Sequence, residues 1–136
     1  MTKDDCIFCK LANGVFPTNS IYEDDKFNVI LDNGPATKGH ALILPKEHAD
    51  DLFGLPEDTA AEAFKLARKL GKHIMETLGA DGLNVVQNNG EAAGQTVRHF
   101  HLHLIPRYNN DGQKIQWEPT SPSSEELVKI KEELTR

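Results

Sequence analysis

The sequence predicts a mixed α and β domain in which one long helix packs on a sheet of short strands. Three observations carry that expectation. Apolar residues recur at helical spacing from Glu57 to Leu78, between Pro56 and Gly79. Several short runs of strand-forming residues are punctuated by Asn, Asp, Gly and Pro. In RHFHLHLIPR, Arg98 to Arg107, three of the six histidines fall at every second position.

Each element has its own local signal. Residues 5 to 12, with CIFCKLA followed by Asn13-Gly14, suit a short helix stopped by glycine, with Cys6 and Cys9 at i and i+3 on one face. Ser20 to Glu23 and Phe27 to Leu31 read as a hairpin joined by Asp24-Asp25-Lys26, closed by the turn Asp32-Asn33-Gly34-Pro35. Gly39 to Pro45, GHALILP, is an apolar run for a central strand; His40 begins it and His48 lies just past its end. The long helix offers Ala61, Phe64, Leu70, Ile74 and Leu78 to the sheet, with His73 beside Lys72 as a solvated residue. Leu83 to Gln87 is again strand-like. Asn88 to Gly94 forms a small polar loop whose glycines let backbone amides approach an anion. Beyond Arg107 the chain turns polar, passes Trp117 and Pro119, and ends in a capping box, Ser123 with Glu126, ahead of Leu127, Ile130 and Leu134 on a short amphipathic helix.

At 136 residues, 38% hydrophobic and 26% charged, the chain is expected to be one soluble domain over 1–136. Fifteen Lys and Arg against 21 Asp and Glu give a net charge of −6 with no basic block, which argues against nucleic acid as a partner. No run approaches the length of a membrane span, and MTKDDC does not read as a secretory leader, so a cytoplasmic protein is expected. In a reducing compartment the CxxC of Cys6 and Cys9 points to metal or redox chemistry; the alternative is two small buried residues.

The histidine row admits three readings. As a strand it places His99, His101, His103 and Ile105 on one face, roughly 6.6 to 7 Å apart, and Phe100, Leu102 and Leu104 on the other. In the first it is only a polar outer face. In the second it is a three-histidine hydrolytic metal site, a reading weakened because no Asp or Glu stands among the histidines. Or it is an imidazole nucleophile with helper imidazoles, chemistry open to a side chain that titrates near neutrality.

With HFHLHLI at 99–105, GEAAGQTV at 90–97, NVILDNGPATKGHALILPKEH at 28–48 and IFCKLANGVFPTNSIYEDD at 7–25, the chain resembles the histidine triad (HIT) family of nucleotide-binding proteins and hydrolases. The likeness spans about 6–107 and leaves a tail over 108–136. It implies an α+β fold, a five-stranded antiparallel sheet with one long helix and short flanking helices, dimerising into a continuous larger sheet. It also implies a purine nucleotide substrate with a leaving group on the α-phosphate: a nucleoside phosphoramidate, an adenylate or a dinucleoside polyphosphate.

Carried over residue by residue, the resemblance makes His101 the nucleophile, His103 a donor to phosphate or leaving group, and His40 the residue that orients His101. Asn88, Gln95 and Thr96 match polar contacts around the phosphate, Asp32 the acceptor for ribose hydroxyls, and Ile7, Phe8, Leu11, Phe16 and Leu31 the apolar wall for the base. Cys6, Cys9, His48 and His99 match the ligands of a structural Zn2+. The family's short-chain branch often ends in a tryptophan-containing tail; here Trp117 and Pro119 are present but the tail runs on to Arg136, which leaves the preferred leaving group open. A non-catalytic purine-nucleotide scaffold with the same pocket is the remaining alternative.

Overall fold

The computed structural model describes residues 2–136. Helix α1, Ile7–Ala12, precedes strands β1, Ser20–Glu23, β2, Phe27–Leu31, and β3, Ala41–Pro45. Helix α2, Glu57–Leu78, follows a single 3-10 turn at Leu52–Gly54 and leads to β4, Gly82–Val86, β5, Leu102–Arg107, and a terminal helix α3, Ser124–Leu134. The five strands form one antiparallel sheet in the order β1-β2-β3-β5-β4, as the family likeness implies.

Strand alternation sorts side chains into two cores. Val29, Ile43, Phe100, Leu102 and Leu104 point toward α2 and meet Ala63, Leu66, Ala67, Leu70 and Ile74. Ile30, Leu42 and Leu44 point the other way and meet Ala12, with Phe8 and Leu11 of α1 packed against them. Because Leu102 and Leu104 face α2, period two sends His103 to the α1 side. The sheet is therefore the wall that supports the site, and α1 stands on the same side as the imidazoles.

The α2 boundaries match the expected ones, and of its expected inner stripe Leu70 and Ile74 are buried and Leu78 packs against the core. Ala61 and Phe64 are exposed, and the buried row is Ala63, Leu66, Ala67, Leu70, Gly71 and Ile74. Phe64 stands six residues from Leu70, about 120° around the helix at 3.6 residues per turn, which puts it off the inward face. His73 is exposed, as expected. The histidine strand begins at Leu102 and not at Arg98. Extending the register Ile43↔Leu102 would bring Phe100 opposite Pro45, which has no N–H to give. The chain there bonds elsewhere: Phe100 N donates to Ala49 O at 2.7 Å. The capping box of α3 is present and its apolar residues, Leu127 and Ile130, are half exposed. No described helix is long and apolar enough to cross a membrane.

Gly39, with φ +91°, precedes β3 where an added Cβ would collide with Leu78 Cδ1 and lie 3.3 Å from Pro106 Cγ. Gly39→Ala is expected to lower stability by about 1–3 kcal/mol, since left-handed backbone strain and crowding add. Gly14→Ala, at φ +76° with nothing within 4 Å, should cost less. Urea unfolding of both variants checks the ranking.

Candidate active site

Two side-chain clusters meet on the His99–His103 segment. The first joins His101, His103, His40 and Asp32. His40 Nε2 and His103 Nδ1 are 2.9 Å apart, Asp32 Oδ2 lies 3.6 Å from His40 Nε2, and the rings of His101 and His103 have centroids 5.0 Å apart. Phe8 stands edge-on to His101 at 4.8 Å. His40 and His101 are each 6% exposed.

Hydrogen-bond partners assign the protons. Ala36 N–H donates to His40 Nδ1 at 2.9 Å, so that nitrogen is a lone pair and the ring hydrogen of neutral His40 sits on Nε2. His40 Nε2–H therefore donates to His103 Nδ1, which leaves His103 with its hydrogen on Nε2. His101 is set the opposite way. Its Nδ1–H donates to the backbone oxygen of His99 at 2.7 Å, so its lone pair is on Nε2. Neighbouring imidazoles thus present an acceptor, His101 Nε2, and a donor, His103 Nε2–H.

Burial keeps these rings neutral. Desolvation lowers the pKa of His101 and of His40, opposed in His101 by the His99 carbonyl and in both by Asp32. His103 is pushed down to about 4 by burial, and further by His101 and His40. A neutral imidazole is the nucleophilic form, so the environment keeps His101 competent at neutral pH.

The second cluster is Cys6, Cys9, His48 and His99, whose ligand atoms all lie within 4.8 Å of one another. Cys6 Sγ and Cys9 Sγ are each 3.4 Å from His99 Nδ1, and Cys9 Sγ is 3.4 Å from His48 Nδ1. Tetrahedral zinc with sulfur at ~2.3 Å and nitrogen at ~2.0 Å would separate S and N by about 3.5 Å, so the spacing fits. The tautomers fit too: His99 Nε2–H donates to Pro45 O at 2.9 Å and His48 Nε2–H to Asp50 Oδ1 at 2.7 Å, which turns both Nδ1 lone pairs toward the sulfurs. Burial raises the Cys9 thiol pKa and lowers His99 to about 4. A cation at the centre would reverse the cost for the thiol and use the His99 lone pair.

Asp32, His40 and His103 also lie within 4.8 Å of one another. Ala36 N–H occupies His40 Nδ1, however, so His40 Nε2 carries a hydrogen and cannot ligate without losing it. That group is arranged for hydrogen bonding. Nor does the triad converge on one ion: His99 turns to the cysteines, His101 Nδ1 to a carbonyl, and His103 Nδ1 to His40.

The remaining candidates divide. Leu11 and Leu31 line a 200 Å³ cleft with Pro17, Thr18 and Ile30. Ile7 is 45% and Phe16 42% exposed, and Lys10 Nζ stands 5.8 Å over the Phe16 ring. Thr96 is exposed and lines a separate 340 Å³ cleft with Cys6, Ile7 and Arg98. Asn88 lies against Gly94, its Nδ2 3.5 Å from where a Cβ would stand. Gln95, expected beside the phosphate, has its side chain committed within the protein. It is 4% exposed, its Oε1 accepts from Gly90 N and Arg98 Nη1, and its Nε2 donates to Asp50 O and Val97 O. With every polar atom of its side chain bonded, Gln95 braces the loop. Ala36, Pro45 and Asp50, which set tautomers, were not among the candidates; two act through backbone atoms, and only the His48-x-Asp50 spacing carried a signal.

A group whose folded pKa is depressed adds stability that is full above its ordinary pKa and lost as pH falls through the folded value. For His99 and His103 the window runs from 6.5 down to about 4. Metal-free protein is expected to show a urea midpoint that falls steeply between those pH values, whereas a flat midpoint would contradict the buried neutral rings.

Comparison with known proteins agrees with this architecture. The HIT domain model matches residues 13–110. Adenosine 5'-monophosphoramidase hnt1 of Schizosaccharomyces pombe is 38% identical over 131 residues, 96% of each chain. The crystal structure of SMU.412c from Streptococcus mutans superposes with TM-score 0.92 at 38% identity, covering 98% of this chain and 85% of that one. A zinc-bound histidine triad family protein from Mycobacterium smegmatis superposes with TM-score 0.77 at 41% identity, covering 85% and 84%. The matched segment holds both triad clusters except Cys6 and Cys9, and the chain belongs to the HIT family.

Proposed function

We propose that the chain hydrolyses purine nucleotides at the α-phosphate through a nucleotidyl-histidine intermediate. The observation that carries this reading is the 2.7 Å bond from His101 Nδ1–H to His99 O, which leaves Nε2 as the lone pair of a neutral ring. In the first step His101 Nε2 forms a bond to the α-phosphorus while the bond to the leaving group breaks, and the leaving group departs with a proton from water. The His101 ring then carries a positive charge on which its Nδ1–H bond to the His99 carbonyl strengthens. Water next attacks phosphorus, the P–N bond breaks, a proton goes to solvent, and a nucleoside monophosphate is released.

His103 Nε2–H is placed to donate to a phosphate oxygen or the leaving group, and His40 holds it in that tautomer. His40 thus acts on His103 and not on His101 as the family likeness implied. Asp32 would accept from the ribose, Thr96 and Asn88 would meet the phosphate side, and the apolar wall of Ile7, Phe8, Leu11, Phe16 and Leu31 would take the base. The S. pombe relative's name supports phosphoramidates as the substrate class.

We assign zinc to Cys6, Cys9, His48 and His99, a closed two-sulfur, two-nitrogen set suited to structure. When bound, the ion would tie α1 to the triad segment. Reduced thiols at that site accord with a cytoplasmic location. A homodimer through β4 is supported by that strand's position at the sheet edge, with Val85 42% exposed, and by Phe64 of α2 at 53%. The chain is read as one domain with a tail over 108–136.

His101→Gly is expected to reduce turnover of an adenosine phosphoramidate by roughly 10³-fold or more, in line with loss of a nucleophile. Rapid quench of the wild type with mass spectrometry should find one added nucleoside monophosphate on the peptide containing His101; an adduct-free enzyme with full turnover would refute the mechanism. In Cys6→Ser, metal analysis should show loss of zinc, and one retained equivalent would refute the ligand set.

A further inference from the structure

His99 belongs to both clusters at once. Its ring offers Nδ1 to Cys6 and Cys9 Sγ at 3.4 Å, and its backbone oxygen takes the Nδ1–H of His101 at 2.7 Å. A second link runs through α1. Cys6 caps that helix and Cys9 lies within it, and Phe8, between them, meets the His101 ring edge-on at 4.8 Å. A six-residue helix does not hold itself together in water. Its outside ties include Asn13 Nδ2 to Lys46 O, packing on Leu42 and Leu44, and the two sulfurs facing His48 and His99.

The nucleophile therefore rests on two supports, the His99 carbonyl and the Phe8 ring, and each is carried on a segment that supplies metal ligands. We infer that Cys6, Cys9 and His48 are positioning residues for His101: by holding a cation together with His99, they fix the carbonyl that sets the tautomer of His101 and the ring that sets its pose. The inference rests on the nucleotidyl-histidine reading for its catalytic consequence. Its structural content, the tautomer and ring environment of His101, is independent of that reading. A cluster that only stabilised the fold would leave both unchanged in folded, metal-free protein.

Asp50 gives a mild handle. It is half exposed, and its Oδ1 takes the Nε2–H of His48 at 2.7 Å, so Asp50→Asn weakens the orientation of one ligand without touching His101. Loss of such an outer partner typically lowers metal affinity about 10–100-fold.

The test compares zinc-loaded, chelator-stripped and reloaded full-length protein labelled with 15N-histidine, with circular dichroism as the check on folding. Three quantities are read: the His101 ring nitrogen shifts, which report its tautomer, the Kd for AMP, and the yield of nucleotidyl-enzyme in a single turnover. In stripped protein the Nδ1–H signature of His101 should give way to a mixture, AMP should bind about tenfold more weakly and adduct yield should fall by about tenfold or more. Reloading should restore all three. Asp50→Asn should recover the same values only at correspondingly higher zinc; this arm decides the matter if stripping unfolds the wild type. An unchanged His101 signature and AMP Kd in folded protein at low zinc occupancy would overturn the inference. Absence of an adduct in loaded wild type with a zinc-dependent tautomer would instead overturn the mechanism alone.

Discussion

The bond from His101 Nδ1–H to the His99 carbonyl is the constraint on which the site depends. A neutral imidazole has one hydrogen and one lone pair, so committing the hydrogen to a backbone oxygen commits the lone pair to the other nitrogen. The same rule, applied at Ala36, gives the neighbouring ring the opposite setting. Two imidazoles one alternation apart thereby become an acceptor and a donor. Side-chain identity alone does not distinguish them; backbone partners do.

Strand alternation supplies the rest of the arrangement. Phe100, Leu102 and Leu104 are fully buried against α2, so the segment cannot slip by one residue without exposing them and burying imidazoles in an apolar core. Burying several Leu- and Phe-sized side chains, each worth about 1.5–3 kcal/mol, makes that register hard to change. The same packing holds the histidines out of water, which keeps them neutral, and the hydrogen bonds they make offset the burial of their polar atoms. Core and site are two sides of one segment, residues 99–104.

Much of this was legible in the sequence because period two and helical period are local signals. The Ser20–Glu23 and Phe27–Leu31 strands, the α2 boundaries and the Ser123 capping box all lie where the pattern put them. The gathering of Cys6, Cys9, His48 and His99, residues up to 93 positions apart, was available only through family likeness, since no local pattern encodes a contact of that span. Three features were hidden. Phe64 looked inward because apolar character alone does not choose between helix faces. The start of β5 depended on Pro45 of another strand. The side-chain amide of Gln95 has four partners within the protein that only the folded loop brings together.

The division of labour among the imidazoles is a statement about hydrogen positions, and neutron diffraction from a deuterium-exchanged crystal reads those directly. Density for deuterium is expected on Nδ1 of His101 and on Nε2 of His40 and His103. Deuterium on Nε2 of His101, with the Nδ1 turned away from the His99 carbonyl, would contradict the account.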